Sequence, residues 1–204
     1  MSILITADTT CIIQGITGRE AVSMTRECLD YGTRIVGGVT PGRGGRDVHG
    51  VPVYDTVEEV AKKTRVDASV ISVAPAFARD AAFEVAQMVE LAELRGARII
   101  GPNCLGVLSP GEAKIGGLGG RAVDARKAFT KGRIGVMSRS GGMTTEICNT
   151  LSAAGLGQST AVSIGGDAII GSSYAELMPL FEADPETEAI ATTLEAGRPA
   201  LVLV

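Results

Sequence analysis

Short apolar runs alternate with amphipathic segments along most of the chain, and glycine-rich turns separate them. Apolar residues spaced three and four apart predict helices, whereas short continuous apolar runs predict buried strands. The predicted strands are 11–13, 34–39, 68–73, 98–100, 133–138 and 158–163, with a strand-like end to the chain. The predicted helices are 20–31, 57–63, 77–95, 144–154 and 173–183. This alternation predicts an α/β fold with two parallel sheets in series.

One irregular stretch, residues 101–132, interrupts the alternation. It contains the sequence Gly-Leu-Gly-Gly and a basic segment, and neither continues a strand or helix pattern. The strand–helix pattern restarts after it. We therefore predict two domains, residues 1–125 and residues 126–204.

Two of the predicted turns have the form of an anion site. Residues 14–18 (Gln-Gly-Ile-Thr-Gly) and residues 138–143 (Ser-Arg-Ser-Gly-Gly-Met) each follow an apolar run and lead into a predicted helix. The first N–H groups of a helix lack an intrahelical partner and lie at the positive end of its dipole. Glycine lets a phosphate approach the backbone, and Arg139 can add a charged donor. A plain strand–helix turn has the same pattern, so neither turn alone identifies a ligand.

The first turn does not fit a nicotinamide cofactor. The dinucleotide fingerprint needs G-x-G-x-x-G and an acidic residue about 20 positions further on. Here Ile16 and Thr17 stand between Gly15 and Gly18, so the middle glycine is missing, and the second predicted strand contains Gly37 and Gly38 without a carboxylate. Arg43 lies in the glycine-rich loop that follows this strand. A cation beside a phosphate-type turn suits a ligand with several phosphates, although a solvated loop arginine is the simpler interpretation of Arg43 alone.

Composition narrows the classes of function. A net charge of -4 gives no electrostatic reason to expect nucleic acid or an anionic membrane as a partner. No stretch approaches the roughly 18 apolar residues that a spanning helix needs, and no signal peptide is expected. The four cysteines form no C-x-x-C pair, which favours a reduced, cytoplasmic compartment. No metal site is predicted.

Seven short segments, in this order and at this approximate spacing, resemble the α-subunit family of succinate–CoA ligase (succinyl-CoA synthetase). They are Met-Ser-Ile-Leu-Ile at 1–5, Gln-Gly-Ile-Thr-Gly at 14–18, Val-Gly-Gly-Val-Thr-Pro-Gly at 36–42, Gly-Pro-Asn-Cys at 101–104, Ser-Pro-Gly-Glu at 109–112, Ser-Arg-Ser-Gly at 138–141 and Ile-Gly-Gly-Asp at 164–167. The resemblance implies a Rossmann-like CoA-binding domain followed by a partial flavodoxin-like ligase domain. It also implies a ligase that couples nucleoside triphosphate hydrolysis to thioester formation through a phosphohistidine and an acyl phosphate. A β-subunit with an ATP-grasp fold would supply the site for ATP or GTP and Mg²⁺.

The resemblance assigns roles to eight residues by position. Those implied to contact coenzyme A are Thr17, Gly18, Arg19, Glu20, Arg43 and Asn103, the last near the thiol end. Those implied to hold the active-site phosphate at a helix N-terminus are Ser140 and Gly141, and Gly142 follows them in the same turn.

Three departures from the family pattern bear on catalysis. The family's phosphohistidine has no counterpart, because the only histidine, His49, lies in a different loop. A loop and a strand that the family has before Gly101 are missing near Gln87. The family's Gly-Glu-Ile-Gly-Gly segment, whose glutamate supports the phosphohistidine, has no match after Ile190, so breaks in the likeness are expected near Gln87 and Ile190. We therefore expect no catalytic residue in this chain and no activity of the polypeptide alone.

The sequence does not identify the carboxylic acid that the ligase would join to coenzyme A. The succinate enzymes have threonine after Ser-Arg-Ser-Gly and tyrosine soon after, whereas this chain has Gly142, Met143 and Thr145. Ser-Arg-Ser-Gly-Gly-Met is similar to ATP-citrate lyase and citryl-CoA synthetase, so citrate or malate is an alternative to succinate. A non-catalytic CoA-binding module is a further alternative, and an NAD-dependent oxidoreductase is disfavoured.

Overall fold

Two sheets organise the chain in the computed structural model, which describes residues 2–73, 78–194 and 198–203. The first sheet has the strand order β3-β4-β2-β1-β5, in which β1 pairs in parallel with β2 and β5. The elements of this first unit are β1 (Thr10–Gln14), α1 (Arg19–Tyr31), β2 (Arg34–Val39), β3 (Asp47–Val48), β4 (Val51–Tyr54), α2 (Val57–Ala61), β5 (Ala68–Ile71) and α3 (Ala78–Leu94).

The second sheet has the order β11-β10-β8-β9-β6-β7. Its elements are β6 (Gly106–Ser109), β7 (Ala113–Ile115), α4 (Ala122–Ala128), β8 (Lys131–Ser138), α5 (Gly141–Ala153), β9 (Gln158–Ser163), α6 (Tyr174–Glu182), β10 (Ala189–Leu194) and β11 (Arg198–Leu203). The predicted α/β class is confirmed. The prediction of purely parallel sheets is wrong, because β6 and β11 pair antiparallel with β9 and β10, and β3 pairs antiparallel with β4.

Apolar side chains fill both faces of each sheet. In the first unit, Ile13 and Ile16 pack with α1, while Ile12 and Val60 lie in a separate cluster. In the second unit, one cluster joins α4 and α5 to the sheet and the other joins α6 to it, with Phe181 at its centre. None of the helices in the described part of the chain is long and apolar enough to cross a membrane.

The predicted division at residue 125 does not coincide with the two sheets. Strands β6 and β7 precede residue 125 and yet pair in the second sheet, where Val107 and Leu108 are buried. Near the start of the chain, Ser2 Oγ lies 3.1 Å from Thr160 Oγ1, and Ile5 is buried in the core of the second unit. The sequence does not show that β6 and β7 belong to the second sheet, because these strands are short and are separated by a glycine turn.

The strand predicted at 98–100 is absent, since these residues have no regular secondary structure. The Ser172 hydroxyl donates to the Ile99 carbonyl at 2.7 Å, and the Gly171 amide donates to the Gly101 carbonyl at 2.8 Å. The segment therefore lines a loop of the second unit instead of joining a sheet. Five elements of the described residues were not predicted: β3, β4, β6, β7 and α4.

Candidate coenzyme and anion sites

The turn between β1 and α1 is held by its backbone. The Gly15 amide donates to the Val39 carbonyl at 2.7 Å, and the Gly18 amide donates to the Gly15 carbonyl at 2.9 Å. Gly15 has φ +77°, and a Cβ there would lie 2.3 Å from the Ser72 carbonyl oxygen. Only glycine fits this position, because the turn is pressed against the end of β5.

Helix α1 begins with unpaired amides. Its N-cap residue, Gly18, provides no side-chain cap. Within the described residues, the amides of Arg19, Glu20 and Ala21 have no acceptor, and Gly18, Arg19 and Glu20 are exposed. Free amides at the positive end of a helix dipole attract an anion.

The loop after β2 lies at the same edge of the sheet, since β1 and β2 are parallel neighbours. Asp55 shapes this loop: its Oδ1 accepts from the amides of Arg43 at 3.1 Å and Gly44 at 3.0 Å. The Thr17 and Thr40 hydroxyls lie 3.3 Å apart and join the loop to the first turn. The Arg43 side chain is exposed, and no described carboxylate pairs with it. The structure thus brings a free cation to the edge that holds the α1 amides.

The turn between β8 and α5 is a second helix N-terminus, and side chains hold it. Ser140 is the N-cap, and its Oγ accepts from the Met143 amide at 3.3 Å. The amides of Gly141 and Gly142 have no acceptor in the part of the chain that is described. A Cβ on Gly141 would lie 2.4 Å from the Leu105 side chain, whereas one on Gly142 would meet only Ser140 Oγ, at 3.8 Å.

The sequence indicated that Arg139 could add a charged donor to this turn, but in the structure its guanidinium donates to carbonyls of another loop. Its Nε donates to the Gly165 carbonyl at 3.2 Å, and its Nη2 donates to the Asp167 carbonyl. Its backbone amide donates to the Tyr174 hydroxyl at 3.2 Å. The guanidinium thus binds the loop between β9 and α6. Nothing in the sequence distinguishes an arginine that binds carbonyls from one that binds a phosphate.

Asn103 lies with the second turn. The resemblance places it among the coenzyme contacts, at the thiol end. Its Nδ2 donates to Asp167 Oδ1 at 2.9 Å, and its carbonyl accepts from the Gly166 amide at 3.4 Å. Asn103 has φ +50°, and asparagine tolerates this left-handed region better than most residues. Two positions further on, Leu105 contacts Gly141. The structure therefore groups Thr17, Gly18, Arg19, Glu20 and Arg43 at one edge, and Asn103 with Ser140, Gly141 and Gly142 at another.

His49 has a structural contact. It occupies the β3–β4 turn with φ +54°, and its Nε2 lies 3.1 Å from the Val22 carbonyl of α1. The ring thus joins the hairpin to the helix.

The four cysteines are free, and three of them are buried. Burial raises the pKa of the Cys11 thiol to about 12, and it also raises the pKa of Cys28 and Cys148. Burial lowers the pKa of Lys114, whose Nζ donates to the Gly116 carbonyl at 3.1 Å. None of these groups is among the residues predicted to bind a ligand. No cluster of three potential metal ligands occurs among the residues that the structure describes.

Both halves of the chain match known domains. Residues 6–96 match the CoA binding domain, and residues 131–201 match the succinyl-CoA ligase like flavodoxin domain. The fold and its two helix N-termini therefore define an acid–CoA ligase type of protein.

Relatives identify the family. The chain is 43% identical to succinate–CoA ligase [ADP-forming] subunit alpha 1 of Archaeoglobus fulgidus, over 97% of this chain and 72% of the relative. It is 42% identical to the corresponding α-subunit of Aquifex aeolicus, over 97% of this chain and 70% of that protein. The chain belongs to the succinate–CoA ligase α-subunit family. A solved ATP citrate lyase of Methanosaeta concilii in complex with (3S)-citryl-CoA has the same fold, with a TM-score of 0.78 at 22% identity over 93% of this chain and 36% of that one.

The comparisons also bear on the two expected breaks. The alignment with the Archaeoglobus relative runs over 217 positions, more than the 204 residues of this chain, so it contains gaps on this chain's side. Helix α3 runs without interruption through Gln87, where a family segment is expected to be missing. The flavodoxin-domain match continues past Ile190 to residue 201, and β10 pairs with β8 inside the sheet. That a family segment is missing after Ile190 stays a prediction.

Proposed function

We propose that this chain binds coenzyme A at the edge of the first sheet and contributes the second turn to an acid–CoA ligase. The observation that carries the proposal is the juxtaposition of three free α1 amides with the unpaired Arg43 in a CoA-binding domain. Thr17, Gly18, Arg19 and Glu20 line this edge. Amides and a guanidinium together suit a ligand with several phosphates better than a single anion.

The second turn is the proposed site of the phosphate that the reaction transfers. In the overall reaction, acid, coenzyme A and nucleoside triphosphate give acyl-CoA, nucleoside diphosphate and inorganic phosphate. The phosphoryl group passes first to a histidine and then to the acid, and the thiol displaces it from the acyl phosphate. Ser140, Gly141 and Gly142 would hold the phosphate, and Asn103 would meet the thiol end beside them.

The remaining parts of the reaction are proposed to come from outside these residues. His49 is bonded to α1 and is not proposed as the phosphorylated group. An ATP-grasp β-subunit is proposed to bind the nucleotide with Mg²⁺, and ATP is favoured because the relatives are named ADP-forming. Free cysteines are consistent with the proposed cytoplasmic location. A role in the tricarboxylic acid cycle is proposed from the relatives, which are named succinate–CoA ligase subunits.

Succinate is the proposed acid, with citrate or malate as the alternative. The position that bears tyrosine in succinate enzymes is Thr145, whose hydroxyl donates back to the Gly141 carbonyl at 3.1 Å. A hydroxyl used within the helix provides no new donor for a larger acid. With the partner subunit added, turnover on succinate above that on citrate and malate would support this assignment, and the reverse order would replace it.

Calorimetry on the chain tests coenzyme binding. Coenzyme A should bind and NAD⁺ should not. Replacing Arg43 by Ala should weaken coenzyme A binding roughly ten-fold or more, as expected for a charged hydrogen bond of about 1.5–3 kcal/mol. Arg46→Ala is the matched control, because Arg46 is an exposed arginine of the same loop. Equal affinity for the Arg43→Ala variant and the parent would refute the assignment.

A further inference from the structure

The loop between β9 and α6 carries Asp167, and contacts from two other segments hold it. The Arg139 guanidinium donates to two of its carbonyls, those of Gly165 and Asp167. The Asn103 side chain donates to Asp167 Oδ1. A Cβ on Gly165 would lie 2.2 Å from the Pro102 carbonyl oxygen, so the two backbones are in direct contact. The loop is therefore fixed between the β8–α5 turn and the segment before β6.

Arg139 is itself held at its backbone. Its amide donates to the Tyr174 hydroxyl, which donates in turn to the Thr193 carbonyl at 2.6 Å. The Ser138 hydroxyl lies 2.6 Å from Thr193 Oγ1 and also accepts from the Ser140 amide at 3.1 Å. These contacts fix the direction in which the chain leaves β8, and so they fix where the α5 amides lie.

We infer that Arg139 is a positioning residue: it ties the β9–α6 loop to the anion-binding turn and thereby places Asn103 beside the free amides of Gly141 and Gly142. The inference rests on the proposed function, because it concerns the same phosphate site. The guanidinium acts through two backbone carbonyls and not by touching the anion. Its planar fork, which presents several donors in fixed directions, suits two acceptors on one loop.

A charge-preserving substitution separates this role from direct contact with the anion. Arg139→Lys keeps the positive charge but replaces the fork by a single nitrogen. If Arg139 positions the loop, Arg139→Lys and Arg139→Ala should both weaken inorganic phosphate binding by about ten-fold, on the scale of lost charged hydrogen bonds. Affinity is measured from the amide chemical shifts of Gly141 and Gly142 during a phosphate titration. Affinity retained in the Lys variant and lost in the Ala variant would instead assign Arg139 to the anion and overturn the inference.

A second readout needs no ligand. In the free protein, both Arg139 variants should speed hydrogen exchange at the Gly166 amide, which donates to the Asn103 carbonyl. Tyr174→Phe changes no charge and should weaken phosphate binding in the same direction by a smaller factor. Arg133→Ala is the matched control, because Arg133 lies on β8, the strand that leads to Arg139, and pairs with Glu188 at 2.5 Å, outside the turn.

The outcomes distinguish the two proposals. If the parent protein binds no phosphate at Gly141 and Gly142, the proposed phosphate site fails and the inference fails with it. If the parent binds phosphate but neither Arg139 variant changes affinity or exchange, only the inference fails. Circular dichroism of each variant confirms that it is folded before either result is read.

Discussion

The two helix N-termini have the same sequence pattern but are built differently. At the start of α1 the cap is Gly18, which offers no side chain, and the turn is held by the backbone of neighbouring strands. At the start of α5 the cap is Ser140, and Arg139 and Tyr174 hold the surrounding segments. The first turn has a free cation, Arg43, at its edge, whereas the cation of the second is committed to a loop.

This difference indicates how each turn suits a different task. Backbone contacts leave the first edge open, and an extended coenzyme with several phosphates needs a long accessible surface. Side-chain contacts fix the position of the second turn, and a phosphate that must meet a thiol and an acid needs a fixed position. Substitutions in the two turns should therefore act on different properties.

The largest difference should appear on adding a methyl group at the first glycine of each turn. Gly15→Ala should lower the free energy of unfolding by about 3 kcal/mol, since positive φ costs roughly 1–2 kcal/mol and the contact with the Ser72 carbonyl adds to it. Gly141→Ala should cost less, about 1 kcal/mol, because Cγ and Cδ1 of the exposed Leu105 can rotate away and only its Cβ, 3.0 Å from the added methyl group, stays close. Urea unfolding of both variants measures this. Similar losses would show that backbone contact does not distinguish the two turns.

A smaller effect, dependent on pH, concerns the buried thiol of β1. The pKa of Cys11 rises from 9.0 to about 12 on burial, so the folded state keeps a proton that the unfolded state loses. The stability that this thiol contributes is complete below pH 9 and falls as pH rises toward 12, by about 1.4 kcal/mol per pH unit. In Cys11→Ala this component disappears, and the stability gap between parent and variant should narrow between pH 9 and 11.

Urea midpoints at pH 8, 9, 10 and 11 measure that gap. Cys148 and Lys114 remain in both proteins, so their own titrations cancel in the comparison. Cys148→Ala provides the matched test in α5, where burial also raises the thiol pKa. Parallel stability curves for the parent and Cys11→Ala would contradict the prediction.

Sequence patterns predicted an element correctly where its own residues carry the pattern of a strand, a helix or a helix stop. Strand β2 was predicted with its observed bounds, Arg34–Val39, and Gly32 ends α1 with φ +108° as expected of a helix stop. Strands β6 and β7 were missed because they are short and glycine turns bound them, so no periodicity develops. Their place in the second sheet depends on pairing with β9, which a local pattern does not contain.

The predictions for the site residues show the same difference between local patterns and contacts made through the sheet. The two anion-type turns were visible, since each is a local strand–glycine–helix pattern. The binding roles of Thr17, Arg43 and Ser140 remain predictions. The structure adds the contacts that each of these residues makes with its neighbours. The partners of Arg139 could not be predicted, because Gly165 and Tyr174 come close only through the order of β8, β9 and β10 in the sheet.

Removing the side-chain cap should affect only the second turn. Ser140→Ala leaves the Met143 amide without its acceptor and should lower the free energy of unfolding by about 1 kcal/mol. Thr56→Ala removes the corresponding cap of α2, whose Oγ1 accepts from the Glu59 amide at 3.2 Å, and serves as a control away from the turn. Thermal unfolding monitored by circular dichroism measures both. An unchanged melting temperature for Ser140→Ala would show that the backbone alone holds this turn.

The smallest effect should be a gain at the second glycine of the same turn. Gly142 lies in α5 with no positive φ, and a Cβ there would meet only Ser140 Oγ, at 3.8 Å. Gly142→Ala should therefore raise the free energy of unfolding by about 0.4–1 kcal/mol through the lower entropy of the unfolded chain. Phosphate affinity should not change, because the proposed donor is the backbone N–H, which alanine keeps. Urea unfolding and a phosphate titration, both compared with Gly141→Ala, test the two statements. A weaker phosphate site in Gly142→Ala would mean that the anion approaches the glycine Cα itself and needs the space that a methyl group fills.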